Sequence, residues 1–412
     1  MAPLRKILWL LAPLWLCPYL ASAKAAQASA PLPIEFLLPA VPYSLATDRA
    51  WTALVESFNL KNPKTPVHLI RRGEEFSALR ELMARQLAGN LPDLAALDPA
   101  ELSAVLPLQV LKPMPGTLVK ALGGQPYSLP FLRAMPLLIA NQHKLSGQAL
   151  PKDWKGLESL LQAFIQRDVV SEDSESSSGF QLALPLQGAR GLWIFEALTR
   201  IPLWKRETGG LRSSRTLIEP IHRIQRLLDA PHVARAGESW EQAVQSFIEG
   251  KTPLLIGTSD MLPYLASRAQ FPLAVGPLPS AGTAVSEGKP TSLLAGSDLV
   301  MTRDRPQTRS FLEFIYSETA SAQWARPGGW LPVNPTWPRS KAWRDHPPAS
   351  FEGLAALLKT QSAGPRTQDP DLVRARSEWI QSLHALFGKK DERSELESLL
   401  TQIDGRLASH SY

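Results

Sequence analysis

The sequence contains a single cysteine, Cys17, among 412 residues. It lies within an apolar run, Ile7–Leu20, which follows two basic residues and precedes small residues around Ala23. This order is typical of a cleavable signal peptide, and the run is too short for a spanning helix. Removal of residues 1–25 leaves a chain without thiols, which excludes disulfides and thiolate metal sites. We therefore expect an exported, periplasmic protein.

A lipoprotein is the alternative interpretation of this leader, because a cysteine near its end can become the lipidated first residue. The residues before Cys17 are Leu14, Trp15 and Leu16. Small residues normally precede a lipidated cysteine, and these three are bulky. The sequence therefore favours simple cleavage over lipidation.

Catalytic motifs are also lacking. The chain has no His-Glu-x-x-His and no Gly-x-Ser-x-Gly string, and its seven histidines have no ligand-like spacing. A Ser-x-x-Lys string begins at Ser286, but it lies in a predicted loop beside Pro290, whereas that chemistry needs a helix start. The sequence therefore predicts a protein that is not an enzyme and that needs no cofactor or metal.

Long blocks of one charge are absent as well. The formal net charge is +6, and it drops to about +4 without the two basic residues of the leader. The basic residues are scattered, so the sequence gives no indication of a nucleic-acid partner. Mixed charges of this kind are typical of an ordinary soluble surface.

The first third of the mature chain alternates strand and helix patterns. Strands are predicted around Pro33–Leu38, Val67–Ile70 and Asp93–Leu97. The first helix has an apolar face with helical spacing and a start capped by Thr47 or Asp48. Its face consists of Trp51, Leu54, Val55 and Phe58, and a second helix is marked by Phe76, Leu79, Leu82 and Met83. This alternation predicts a parallel sheet with helical crossovers.

The rest of the chain predicts a second α/β region. Residues Tyr127–Asn141 contain extended segments with no helix between them, which suits a crossover into another lobe. The roughly 385 mature residues also exceed what a single core usually supports. Beyond the crossover, predicted helices at Trp154–Ile165, Gly191–Leu198, Leu217–Leu228 and Trp240–Ile248 alternate with strands at Phe180–Pro185, Leu254–Gly257 and Phe271–Val275. An extended segment at Ser292–Met301 and a helical tail from Pro335 complete the chain.

Six stretches of the chain together carry a resemblance to a known family. The stretches are Ala50–Pro63, Gly89–Leu94, Tyr127–Leu145, Pro151–Trp154, Phe247–Leu254 and Gly329–Val333. Each stretch is unspecific alone. Taken in order over nearly the whole mature chain, they resemble the extracellular solute-binding proteins of carbohydrate-type ABC importers, the maltodextrin- and glycerol-3-phosphate-binding group.

The resemblance implies an α/β, two-lobed periplasmic-binding-protein fold of the type II kind, with hinge strands and a helical C-terminal region. Lobe one would comprise residues 26–135 and about 292–335, and lobe two would comprise residues 136–291 and about 336–412. A small polar solute, such as a sugar, polyol or glycerophosphate, would bind between the lobes. The partners would be the permease subunits of an ABC importer, and we expect a monomer.

The resemblance also suggests ligand-binding residues. Trp193 and Trp330 are expected to be aromatic platforms for a sugar face, although Trp193 could instead pack in a helix–sheet core. Gly296 and Ser297 would offer backbone groups to the ligand, and Arg366 would bind a phosphate.

Three further candidates follow the ends of predicted strands, where ligands commonly bind in α/β proteins. Tyr43 and Asp98 follow strands of lobe one, and Ser259 follows a strand of lobe two. Ser259 could instead cap the next helix.

Two other functions stay open. A secreted glycan hydrolase would need paired carboxylates, for which Asp98 with Asp260 or Asp298 are the available candidates. A ligand-binding module of a membrane sensor would look the same in sequence as a transport component.

Overall fold

The protein is described by a computed structural model, which covers most of the mature chain in segments. The described residues are 32–39, 45–72, 77–99, 101–170, 180–208, 210–230, 233–235, 239–282, 295–331, 333–334, 341, 371–387 and 393–408. The predicted leader and the acidic, serine-rich stretch 171–179 lie outside them. Among these described segments, no helix has the length and apolar character needed to cross a membrane.

Strands and helices alternate along the chain, as the sequence pattern predicts. The strands are β1 Ile34–Pro39, β2 Val67–Arg72, β3 Leu94–Leu97, β4 Leu129–Ala134, β5 Pro136–Asn141, β6 Leu182–Ala183, β7 Trp204–Glu207, β8 Gly210–Ser213, β9 Ala234–Arg235, β10 Leu254–Thr258, β11 Leu273–Pro277 and β12 Ala295–Met301. The helices are α1 Leu45–Lys61, α2 Ser77–Leu87, α3 Leu102–Val105, α4 Gly116–Leu122, α5 Gln142–Leu145, α6 Trp154–Val170, α7 Gly188–Thr199, α8 Ile218–Asp229, α9 Trp240–Ile248, α10 Leu262–Arg268, α11 Pro306–Ile315, α12 Glu318–Ala325, α13 Asp371–Phe387 and α14 Arg393–Ala408.

The first sheet has the strand order β2-β1-β3-β12-β4. Strand β1 runs parallel to β2 and β3, whereas β12 is antiparallel to β3 and β4. The predicted parallel arrangement of the first three strands is therefore confirmed. We call this sheet and the helices packed on it the first unit.

The second sheet has the order β11-β5-β10-β6-β9. Strand β6 is parallel to β9 and β10, and β5 is antiparallel to β10 and β11. We call this sheet and its packed helices the second unit. Strand β4 of the first unit ends at Ala134 and β5 of the second begins at Pro136, so Met135 alone joins the sheets at this point.

The core of the first unit is an aromatic cluster on α1, the sheet and α12. Trp51 stacks on Trp324 with ring centroids 5.2 Å apart and contacts Phe36 edge-on at 5.6 Å. The predicted apolar face of α1 is confirmed, because all four of its residues are buried. Each such side chain stabilises the fold by about 1.5–3 kcal/mol through burial.

The core of the second unit contains α7 and the two C-terminal helices. Phe195 on α7 stacks on Trp379 of α13 at 5.9 Å. Helix α14 is anchored to strand β8, since the backbone N–H of Ser213 donates to Asp404 Oδ1 at 2.6 Å. The predicted helical C-terminal region is therefore observed, and it packs on the second unit.

Some local predictions were wrong. Helix α1 begins at Leu45, so Thr47 and Asp48 lie inside its first turn and neither caps it. Met83 on α2 is 42% exposed and lies off the apolar face of that helix. Strand β11 begins two residues later than predicted, because Phe271 precedes it and packs edge-on against Phe247 of α9.

Candidate ligand-binding site

The site is built where the edges of the two sheets meet. In the first sheet, β3 ends at Leu97 and β12 begins beside it, since Asp298 lies opposite Leu97 in the antiparallel register. In the second sheet, β10 ends at Thr258, which lies opposite Pro136 at the start of β5. Because Met135 joins these edges directly, residues that follow β3, β6 and β10 are brought together. This is the edge at which α/β proteins commonly bind ligands.

A buried ion pair lines the first-unit side. Arg133 on β4 pairs with Asp298 on β12, and the two side chains are 7% and 0% exposed. Arg133 also donates to the carbonyl of Ser297 at 2.6 Å, and Ser128 Oγ donates to the second oxygen of Asp298 at 3.0 Å. These hydrogen bonds satisfy both charges, as a buried ion pair requires.

Gly296 occupies an irregular position in β12 next to this pair. Its φ is +143°, and the register between β12 and β4 shifts between Gly296 and Asp298. A Cβ here would lie 1.9 Å from the carbonyl oxygen of Leu132. The glycine is therefore required for close backbone packing, which is the structural role that a strand glycine commonly has.

A second ion pair lies on the second-unit side. Arg190 Nη1 on α7 donates to Asp260 Oδ2 at 3.0 Å and to Thr258 Oγ1 at 2.7 Å. Its guanidinium also lies over the ring of Trp240, the first residue of α9, at 5.6 Å. The other carboxylate oxygen of Asp260 is buried and has no hydrogen-bond partner among the described residues.

A third charge cluster involves both units. Arg376 on α13 reaches Asp98 Oδ2, at the end of β3, and Glu196 Oε2, on α7, with both distances 3.6 Å. Burial raises the pKa of the Glu196 carboxyl above its usual 4.5 and is the largest effect on it. The positive charge of Arg376 lowers this pKa, and the negative charge of Asp98 raises it, each by less than burial does. The three carboxylates considered for a hydrolase, Asp98, Asp260 and Asp298, are thus each paired with an arginine.

Trp193 and Trp330 are both buried in one hydrophobic cluster. Both belong to the hydrophobic cluster of the first unit, although Trp193 is on α7 of the second, and they are 8% and 2% exposed. The indole N–H of Trp330 donates to Thr47 Oγ1 at 3.1 Å. Both indoles are therefore buried in the structure, and Trp193 carries the hydrophobic cluster of the first unit onto α7 of the second.

The segment before Trp330 passes between the units. Gly329 has φ +67°, and a Cβ on it would lie 2.4 Å from the carbonyl oxygen of Ser259. The backbone N–H of Leu331 donates to the carbonyl of Arg133 at 2.8 Å. Only glycine allows this chain to lie so close to the end of β10.

Ser259 is completely buried beside the connecting residue. Its Oγ accepts from the backbone N–H of Met135 at 3.2 Å, and its own N–H donates to the carbonyl of Met135 at 2.9 Å. Ser259 begins a short 3-10 turn whose N-cap residue is Thr258, and the next helix, α10, has Met261 at its N-cap, so Ser259 occupies neither cap position. Its contacts therefore join β10 to the crossover between the sheets.

The comparisons with known proteins agree with this architecture. A family model for bacterial extracellular solute-binding proteins matches residues 53–350. The chain belongs to this family. The predicted function as a solute-binding protein is therefore confirmed. No curated protein matches this solute-binding protein in sequence.

Solved structures of binding proteins superpose over nearly their whole lengths. The GacH receptor of Streptomyces glaucescens, solved unliganded and with acarbose, has a TM-score of 0.73 at 15% identity, covering 92% of this chain and 99% of that one. UgpB of Mycobacterium tuberculosis, solved with glycerophosphocholine, has a TM-score of 0.71 at 17% identity, covering 92% and 98%. MalE of Bdellovibrio bacteriovorus, bound to maltotriose, has a TM-score of 0.71 at 15% identity, covering 91% and 99%. The predicted two-lobed α/β fold is confirmed.

The proposed ligand residues of the solute-binding protein divide into two groups. Tyr43 and Arg366 lie outside the described residues. Of the other six, Asp98, Ser259, Gly296 and Ser297 lie at or near strand ends where the sheets meet, whereas Trp193 lies on α7 and Trp330 follows α12. Their roles in binding stay predictions.

Sequence reasoning missed Arg190, Glu196, Trp240 and Arg376. Arg190 and Trp240 had a usable signal, because each stands in the first turn of a helix that follows a strand of the second sheet. Glu196 and Arg376 had none, because only the folding of α13 onto α7 brings them together. Among the residues that the structure covers, no group of three metal-ligating side chains could hold a metal ion.

Proposed function

We propose that this solute-binding protein captures a sugar, polyol or glycerophosphate-type solute outside the cytoplasmic membrane and delivers it to an ABC importer. The observation that carries the proposal is the convergence of charged and aromatic side chains from both units on the edge spanned by Met135. The ligands of the superposed proteins, acarbose, glycerophosphocholine and maltotriose, support this solute class.

The lobes in this proposal follow the two sheets. Lobe one comprises residues 26–135 and about 292–335, and lobe two comprises residues 136–291 and about 336–412. The pairing of β12 with β3 and β4 and the packing of α13 on α7 support this division. The lobes rotate about the crossover strands, and the ligand favours the closed form because only then does it contact both.

The chemistry of the edge suits a polyhydroxylated ligand. Arginine and carboxylate groups bond hydroxyls, and indole rings pack on the apolar face of a sugar. The unpartnered oxygen of Asp260 is an acceptor for a ligand hydroxyl, and the Arg190 guanidinium beside it offers donors of the kind that recognise phosphate. Asp98, Trp193, Ser259, Gly296, Ser297, Trp330, Tyr43 and Arg366 complete the proposed set of ligand contacts.

The proposed location is the periplasm, reached by cleavage of the signal peptide near residue 25. The family description as extracellular supports export. The proposed working form is a monomer that docks on the permease subunits after closure. Binding energy that differs between the open and closed forms is sufficient for this mechanism, so the protein needs no catalytic group.

A thermal-shift screen tests the proposal. Maltotriose, glycerophosphocholine and glycerol-3-phosphate are added separately to the purified protein. A ligand present at about 100 times its dissociation constant should stabilise the folded state by about 2.7 kcal/mol. Asp260→Asn keeps the shape of a candidate contact and should reduce the shift, whereas Glu395→Gln, an exposed change on α14, should not. No shift with any sugar, polyol or glycerophosphate would contradict the proposal.

A further inference from the structure

Arg376 occupies an unusual position at the boundary between the two units. Its helix, α13, packs on α7 and α8 of the second unit and also contacts α3 of the first. The Arg376 side chain is 15% exposed, so it lies largely out of solvent. It is therefore a candidate for controlling how the units sit against each other.

The guanidinium uses different nitrogens for carboxylates of different units. Nη2 lies 3.6 Å from Asp98 Oδ2, directly after β3 of the first sheet. Nη1 lies 3.6 Å from Glu196 Oε2, on α7 of the second unit. Glu196 therefore holds the arginine in place from its own unit, while Asp98 forms the contact that crosses the boundary.

The electrostatic setting makes this arrangement sensitive to loss of the arginine. Burial raises the pKa of Glu196, which means that its charged form is costly there, and Arg376 is the group that offsets this cost. Asp98 adds a second negative charge, which also raises the pKa of Glu196. Without the arginine, two carboxylates would face each other across a largely buried boundary.

We infer that Arg376 is a positioning residue that holds the two units together by pairing with Asp98 and Glu196 at once. This inference rests on the proposed closure of the two lobes. Helix α13 thereby connects the two units through one side chain, and we call the pairing of Arg376 with Asp98 and Glu196 the bridge. The closed arrangement depends in part on this bridge, which needs no ligand. The bridge lowers the amount of ligand binding energy needed for closure.

Because the Arg376 guanidinium uses two separate nitrogens, a lysine at this position tests the inference. A lysine carries one charged nitrogen on a flexible stem, so it cannot place separate donors on Asp98 and Glu196 as the planar guanidinium does. Arg376→Lys should therefore behave much like Arg376→Met. A role that depended on positive charge alone would be rescued by lysine.

Distance measurements between the units test the bridge without any ligand. Spin labels are attached to Lys61→Cys on α1 and Ala266→Cys on α10, both exposed positions, in a full-length Cys17→Ser background. Because Cys17 is the only native cysteine, labelling is specific. Pulsed electron resonance then gives the distribution of distances between the units.

The wild-type background should show a population with the units close together. Arg376→Met should reduce that population by about tenfold, since a partly buried carboxylate loses its partner, and Arg376→Lys should reduce it similarly. Arg406→Met, which removes an exposed ion pair between α14 and α13, is the matched control and should leave the distribution unchanged. An unchanged distribution for Arg376→Met, or full rescue by lysine, would overturn the inference.

A second variant separates bridging from general loss of structure. Adding Glu196→Gln to Arg376→Met removes one of the two uncompensated charges and with it their mutual repulsion, so the double variant should recover part of the close population. A double variant with no recovery and a lowered melting temperature equal to that of Arg376→Met would indicate a structural role only and would overturn the inference.

The same proteins distinguish this inference from the proposed function. If no test solute binds but Arg376→Met still separates the units, the proposed function fails and the bridge stands. If maltotriose or glycerophosphocholine binds with equal affinity to wild type and Arg376→Met, and the distances do not differ, the bridge fails and the proposed function stands.

Discussion

The core of the first unit and the boundary between the units are built from opposite kinds of side chain. The core packs Trp51, Phe36, Phe131 and Trp324 with ring centroids 5.1–5.9 Å apart. The boundary instead has an arginine–carboxylate pair on either side and one pair, Arg376–Asp98, that joins the units. A core gains most from permanent burial, whereas a surface that must open and close has to tolerate water. Charged pairs satisfy the second requirement, because their partners can be rehydrated.

The largest expected effect is in the aromatic core. Trp51→Ala should destabilise the protein by about 3–5 kcal/mol, because the fully buried ring leaves a cavity between the sheet and α12. Urea unfolding followed by circular dichroism measures the loss. Leu60→Ala on the same helix is the control, since Leu60 is 84% exposed and its removal should cost little. Equal effects of the two changes would contradict the assigned packing of α1.

The buried ion pair of the first unit should be nearly as important. Arg133→Met leaves Asp298, which is 0% exposed, without its charged partner, and should cost about 3–5 kcal/mol in urea unfolding. Arg309→Met breaks an exposed pair with Asp304 and should change the free energy of unfolding far less. A small loss of stability for Arg133→Met would mean that water reaches Asp298. The aromatic core and the boundary between the units would then differ less in burial than the packing indicates.

A substitution at Gly329, where the backbone lies close to that of Ser259, should have an intermediate effect on the free energy of unfolding. Gly329→Ala places a Cβ against the backbone of Ser259 at a residue with positive φ, and should cost about 1–3 kcal/mol. Gly405→Ala on α14 meets nothing within 4 Å and should stabilise its helix by up to about 1 kcal/mol. Thermal unfolding measures both. If Gly329→Ala left the stability unchanged, the backbone at the boundary between the units would have shifted to accept the added Cβ, which a closely packed core would not do.

The smallest expected effect is on the pH dependence of the free energy of unfolding, through the carboxyl group of Glu196. Its folded-state pKa is raised above 4.5 by burial, so it contributes stability that is present below about pH 4.5 and is lost as pH rises through the raised value. Glu196→Gln should remove this dependence, so its stability relative to wild type should increase as the pH rises from 4.5 through the raised pKa of Glu196. Urea unfolding at several pH values measures the difference, with Glu395→Gln as an exposed control. A constant difference between wild type and Glu196→Gln would contradict the burial of this carboxyl.

The same contrast explains what the sequence could and could not predict. The apolar face of α1 has helical spacing, so its residues were identified as core from local pattern alone. Gly250 follows α9 with φ +71°, the left-handed conformation that glycine commonly adopts at the end of a helix. Patterns of this kind arise within one turn or one strand, where neighbours in sequence are neighbours in space.

The boundary could not be predicted in the same way. Arg376, Glu196 and Asp98 come from distant parts of the chain, and no local pattern distinguishes them from surface charges. Thr47 shows the difficulty well, because it was predicted to cap α1 and instead accepts a hydrogen bond from Trp330. The predicted strand ends located Asp98 and Ser259 near the meeting edges of the sheets, but the partners of each side chain depend on tertiary packing.

The connection through Met135 limits how the two halves of the protein can move. One residue spans at most about 3.3–3.6 Å, so the ends of β4 and β5 cannot drift apart by more than a bond or two. Large displacement is therefore available only far from this point, where a small change in backbone angle is amplified by distance. Under the proposed closure, a solute would therefore enter at the rim opposite Met135, where the separation of the two units would change most.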